Sequence, residues 1–147
     1  LVDFGARYKN YCADMTRSIF LGKPTKKEEE MYKLLYKAQL GAIKAVHGNI
    51  SYTDLTKTTQ DALGKYSKNF THSLGHGIGL EVHESPVFSD TKLAVKKHIP
   101  FTIEPGVYFK GSFGLRIEDT VVWDGKRLEI LTKAPKNMIV VKKIKKS

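Results

Sequence analysis

The chain of 147 residues holds one cysteine, Cys12, which rules out an internal disulfide and fits a reducing, cytoplasmic compartment. No stretch approaches the roughly 20 consecutive apolar residues of a membrane span, so the sequence argues against a helical membrane protein. The start, Leu1-Val2-Asp3-Phe4-Gly5, is neither an initiating methionine nor a secretory leader, and a strand pattern from the first residue predicts that an upstream portion has been removed. Acids are scarce: 15 against 25 lysines and arginines, for a net charge of +10. The basic residues are dispersed, with one dense cluster at Lys142-Lys143-Ile144-Lys145-Lys146. That distribution reads as a solvated, solubilising surface, with no nucleic-acid partner expected.

What remains is the composition of one globular domain, 41% hydrophobic and 27% charged. Residues 1 to about 21 alternate as a β-hairpin, with Arg7 to Asn10 polar at the bend, until Gly22 and Pro24 stop it. Thr25 and Glu28 form a capping box for a helix whose Met31, Leu34, Leu35, Ala38, Ala42, Ile43 and Val46 recur at helical spacing. A shorter helix is expected from Thr53-Asp54 to about Tyr66, with Leu55, Ala62 and Leu63 inward. Beyond Phe70 the chain becomes glycine-punctuated loops and strands: His72 to Glu84, His98 to Lys110, Ser112 to Trp123 and Arg127 to Ile130. Gly75, Gly77 and Gly79 make a helix through His76 improbable on propensity. The order β-β-α-α-β-β predicts an α+β domain with two helices on one face of a curved antiparallel sheet.

The few acids fall in a pattern. Asp3 and Asp14 lie symmetrically about Tyr8 and Lys9, and Glu104 and Glu118 symmetrically about Gly111, so each pair is expected to face itself across a hairpin. Like charges opposite one another destabilise a sheet, and converging carboxylates raise each other's pKa. Two divalent cations would balance the four charges, with the imidazole of His76 completing an oxygen-rich site. In Gly114-Leu115-Arg116-Ile117-Glu118-Asp119-Thr120, alternation turns Glu118 toward Glu104 and sends Asp119 to the other side. Arg116 is placed to hold a neighbouring carboxylate through a bidentate contact.

Several runs coincide with a known family. Tyr11-Cys12-Ala13-Asp14-Met15-Thr16-Arg17, the stretch from His72 through Gly75-His76-Gly77-Ile78-Gly79 to His83-Glu84, Thr102-Ile103-Glu104-Pro105-Gly106 and Arg116-Ile117-Glu118-Asp119-Thr120 resemble the pita-bread metallopeptidases, specifically the Xaa-Pro peptidases, prolidase and aminopeptidase P. The related methionine aminopeptidases carry a histidine directly after the last glutamate ligand, where Asp119 stands here. The resemblance implies a pita-bread fold in which Asp3 is a terminal ligand of one metal, Asp14 and Glu118 bridge, and His76 and Glu104 hold the other metal. It implies that His72 and His83 contact substrate and stabilise the tetrahedral intermediate. Family members have an earlier half to this domain, so residues 1–147 are expected to be the C-terminal part of the catalytic domain.

The implied activity is hydrolysis of the Xaa-Pro bond in dipeptides or at peptide N-termini by a hydroxide shared between two divalent ions, with Glu104 handling the proton. Oxygen donors with one imidazole suit manganese first, with cobalt, zinc or iron as alternatives. The expected partner is a peptide with proline in second position, and the family implies a homodimer for the longer protein. The alternative is a binding module of the same fold without catalysis, or a hydrolase of another small amide or amidine.

Overall fold

The computed structural model describes residues 1–88 and 93–142. Lys143, Ile144, Lys145 and Lys146 of the lysine cluster lie outside the described residues. Strands β1 (Val2–Tyr8) and β2 (Tyr11–Arg17) form the expected hairpin, closed by Lys9 and Asn10 at φ of 48° and 71°. Two successive left-handed residues suit the twist of a two-residue hairpin turn. This turn moves the register: Asp14 sits opposite Gly5, and Asp3 opposite Thr16, so the expected direct pairing of Asp3 with Asp14 is not formed. The slip is two residues in partner, which keeps both acids on the same face. A side chain at position 5 would meet the carbonyl oxygen of Ala13 at 1.8 Å, so the close approach of the two strands there needs glycine.

After the short β3 (Ile19–Leu21), α1 spans Lys26–Ala45, and both halves of the Thr25 and Glu28 capping box are present. The second helix, α2 (Tyr52–Leu63), starts at an Ser51 cap and ends at Gly64, and a 3-10 turn covers Gly64–Asn69. Its buried stripe is Tyr52, Leu55, Thr59 and Leu63. Ala62, expected inward, lies at the edge of that stripe and is exposed.

Strands β4 (His76–Gly77), β5 (Glu84–Val87), β6 (Pro100–Ile103), β9 (Asp119–Trp123) and β10 (Leu128–Ile130) make an antiparallel sheet in the order β10-β9-β6-β4-β5. Between β6 and β9 runs a second hairpin, β7 (Gly106–Phe109) with β8 (Phe113–Arg116), turning at Gly111 with φ of 73°. One register runs through both pairs, Ile103 opposite Asp119 and Gly106 opposite Arg116. Glu104 and Glu118 therefore face each other across the intervening gap, as their symmetry about Gly111 predicts. Two elements went unforeseen, β5 and the terminal β11 (Ile139–Val141), which pairs parallel with β3. Parallel pairing closes over a long stretch of chain and leaves no local turn signal.

The helices pack on one another and α1 lies against β6 and β8. Leu35, Ala42, Leu55, Leu74, Phe101, Ile103, Ile117 and Val121 fill the core between them. Among the described residues no helix is long and apolar enough to cross a membrane. Leu35 is 0% exposed, so Leu35→Ala should cost about 2–5 kcal/mol in a denaturant titration. A loss under about 1 kcal/mol would show that α1 is not seated in this core.

Candidate metal centre

The two hairpins and β4 converge on one point. Asp14 projects from the middle of β2, and His76 opens β4. Glu104 and Glu118 occupy the two breaks between the hairpin's inner and outer halves, where the ladder opens at Pro105. There the Glu104 N–H donates to Leu74 O at 2.8 Å and the Glu118 N–H to Thr16 O at 3.1 Å. These bonds satisfy the backbone while the strands part, so the two side chains turn inward together.

His76 Nε2 lies 3.3 Å from Glu104 Oε1 and 3.8 Å from Asp14 Oδ2. One donor atom from each of Asp14, His76 and Glu118 falls within 4.8 Å of the others. His76 Nδ1 is 3.0 Å from Gly77 O, which can only accept, so Nδ1 carries a hydrogen and Nε2 is the ring nitrogen turned to the acids. Carboxylates also face one another. A cluster of this kind needs a proton or a cation at its centre, and oxygen donors with one imidazole fit a divalent transition ion.

The electrostatics agree. Burial, then the charge of Glu104, pushes Glu118 up to about 8; burial pushes Glu104 up to about 7. Asp14 is also raised, by burial first and by Asp3 second. Protons and cations compete for the same oxygens.

The other expected site residues stand around this trio. Asp3 is half-exposed and hydrogen-bonded to Arg116 Nη2, on the wall of the same cleft and outside the Asp14, His76 and Glu118 trio. Arg116 divides its donors: Nε to Thr16 Oγ1 at 3.0 Å, Nη1 to the Tyr108 hydroxyl at 3.2 Å, and Nη2 to Asp3. Its nearest approach to Glu104 is 4.0 Å, so the expected bidentate grip on a carboxylate is not made; three neighbours compete for one fork. His72 is half-buried, its Nδ1 2.7 Å from Ser73 O and its Nε2 2.9 Å from the Tyr108 hydroxyl. Burial lowers its pKa. His83 is exposed at the mouth, with its ring 4.2 Å from that of His76. Both flank open space: a cleft of about 700 Å³ on the Asp3 side and one of about 570 Å³ on the His72 side.

Three contributors escaped the sequence reading. Tyr108, inside the expected strand His98 to Lys110, carries no signal in the sequence, although Gly106 and Gly114 clear the space it fills. Thr16 shares a face with Asp14 by simple alternation and donates to Glu118 Oε2 at 2.5 Å. Arg17 stands in the run that resembles the family but drew no role of its own, and it is only 4% exposed.

The raised glutamates set a pH dependence. Folded Glu104 and Glu118 keep protons that the unfolded chain releases near 4.5, so the stabilisation is full below about pH 4.5 and declines as pH rises toward 8. His72 acts in the opposite sense near pH 6.5, as one group against two. The metal-free chain should lose on the order of a few kcal/mol between pH 5 and pH 8, read as a falling urea midpoint. Added Mn(II) should restore the midpoint at pH 8. A flat or rising metal-free midpoint contradicts the burial of these charges.

The sequence profile of metallopeptidase family M24 matches residues 1–124. A Xaa-Pro dipeptidase of Pyrococcus horikoshii is 36% identical over 142 residues, covering 95% of this chain and 40% of that protein. Among solved structures, a dipeptidase from Pyrococcus horikoshii superposes with a TM-score of 0.90 at 40% identity, over 95% of this chain and 40% of that one. An X-Pro aminopeptidase from Thermotoga maritima gives 0.88 at 42% identity, with the same coverage of 95% and 40%. The chain thus spans about two fifths of the length of these relatives. Both structures share its α+β, pita-bread arrangement. On the strength of a profile match over most of its length, joined to this cluster of acids and imidazole, the chain belongs to metallopeptidase family M24.

Proposed function

We propose that Asp3, Asp14, His76, Glu104 and Glu118 hold two divalent cations, manganese foremost with cobalt, zinc or iron as substitutes, and that the site hydrolyses Xaa-Pro bonds. The observation carrying this reading is the meeting of the Asp14, His76 and Glu118 donor atoms within 4.8 Å. Asp14 and Glu118 would be shared between the two cations, Asp3 would serve one of them, and His76 with Glu104 would serve the other. For that role Asp3 would have to give up its bond to Arg116. The cations supply Lewis acidity toward a carbonyl and acidify water.

The side chains do the rest. Glu104, with Oε1 3.3 Å from His76 Nε2 at the edge of the cleft, would take and return the proton. His83 at the cleft mouth donates to the carbonyl oxygen as charge develops there. His72 already donates from Nδ1 to Ser73 and accepts at Nε2 from Tyr108, so it backs the cleft wall until substrate displaces that hydroxyl. The dipeptidase and aminopeptidase names among the relatives support a substrate with proline in second position.

Residues 1–147 correspond, in this reading, to the C-terminal part of a catalytic domain, so turnover is assigned to the site in its longer setting. The test is Mn(II)-dependent release of proline from a Xaa-Pro dipeptide and of the first residue from a Xaa-Pro peptide. It is run on these 147 residues alone and joined to the remaining length that the relatives have. Asp14→Asn and Glu118→Gln should each lower the rate more than about 100-fold, beyond the 10- to 100-fold typical of groups that merely support a ligand. An unchanged rate and metal content in either variant refutes the assignment.

A further inference from the structure

Two consecutive residues of β2 act on Glu118 from opposite sides. Neighbours on a strand point to opposite faces, so Thr16 and Arg17 cannot both face the acid cluster. Thr16 does. Its hydroxyl oxygen accepts from Arg116 Nε at 3.0 Å, and since a guanidinium can only donate, the Thr16 hydrogen is left for Glu118 Oε2 at 2.5 Å. The Glu118 N–H donates back to Thr16 O at 3.1 Å. The carboxylate is thereby gripped at one oxygen and at its own main chain by the same threonine.

Arg17 lies behind, on the face turned from the cluster. Nη1 donates to Thr16 O at 2.9 Å and to Glu118 O at 2.5 Å. Nη2 donates to Asp119 Oδ1 at 2.7 Å and to Ala134 O at 2.8 Å, and Nε to Pro135 O at 2.9 Å. All five N–H groups of the guanidinium are used. Asp119 is itself held by Lys136 Nζ at 2.6 Å and by Gln39 Nε2 at 3.2 Å. A buried ion pair gives little net stability over apolar residues of the same volume. This one spends its donors on the main chain that carries a charged side chain into the cluster.

We propose that Thr16 and Arg17 are positioning residues for Glu118, aiming its carboxylate at the cation site from the two faces of β2. Thr16 fixes the carboxylate's rotation and Arg17 fixes the backbone beneath it. Outer groups that orient a ligand typically change metal affinity 10- to 100-fold when removed. The inference rests on Glu118 being a cation ligand, as proposed above.

The test is Mn(II) binding to the metal-free chain by calorimetry, with stability measured in parallel. Thr16→Val keeps the shape and loses the hydroxyl; Thr16→Ser keeps the hydroxyl. Arg17→Lys keeps the charge and loses the fork, and Leu35→Ala lowers stability through the core. Thr16→Val and Arg17→Lys should weaken binding by about 10- to 100-fold, while Thr16→Ser and Leu35→Ala stay near wild type. Should Arg17→Lys fail to fold, the valine and serine variants decide between positioning and bulk stability. Wild-type affinity in Thr16→Val, or equal weakening in Leu35→Ala, overturns the proposal while leaving Glu118 as a ligand. A wild-type chain that binds no Mn(II) removes the ligand reading and this inference together.

Discussion

Carboxylates forced to face one another out of water are the constraint that orders this structure. Carboxylates of Asp14, Glu104 and Glu118 and the imidazole of His76 meet where burial already raises two of the three acids toward or beyond neutrality. Burying charge without a partner is expensive, and a folded chain keeps such an arrangement only where something compensates it. A proton does so at low pH. A divalent cation would do so at the pH where the acids are ionised.

The surrounding fold supplies the rigidity that this requires. Glycines let the strands that carry ligands approach more closely than any side chain permits. A Cβ at Gly75 would lie 2.0 Å from Thr102 O, and one at Gly77 2.1 Å from Ser85 O. Gln39 reaches from α1 to the carbonyls of Ile103 and Ile117, the residues just before Glu104 and Glu118, at 3.2 Å each. The core helix is thereby tied to both ligand strands where their ladder is open. Asp119, next to Glu118 in sequence, serves the opposite face, where Arg17 and Lys136 neutralise it. Alternation along the chain sends Glu118 into the acid cluster and Asp119 to the arginine behind it.

Much of this was legible where physics is local. The capping box at Thr25 and the 3.6-residue spacing of apolar side chains located α1, and symmetry about Gly111 gave the register that sets Glu104 against Glu118. The same symmetry argument misplaced the first hairpin, because it put the turn's centre one residue too early; Lys9 and Asn10 adopt positive φ, and Asn10 was the available hint. Strands β5 and β11 were unreadable, since each is short and β11 finds a partner about 120 residues away. The directions taken by Arg116, His72 and Arg17 also lay beyond the sequence. Arg116 has three acceptors within reach and His72 a tyrosine hydroxyl, and which contact wins depends on packing that no spacing encodes. The acid pattern pointed to five candidate ligands and the family resemblance gave them roles; the structure brings Asp14, His76 and Glu118 together while leaving Asp3 on Arg116.

The central claim is that these side chains cage a pair of cations. A crystal of the chain grown with Mn(II) and measured at the manganese absorption edge tests it most directly. Two anomalous peaks roughly 3.5–4 Å apart, in contact with Asp14 and Glu118 and with His76 on one of them, are predicted. An empty cluster under saturating manganese, or peaks only at other acids on the surface, would contradict it.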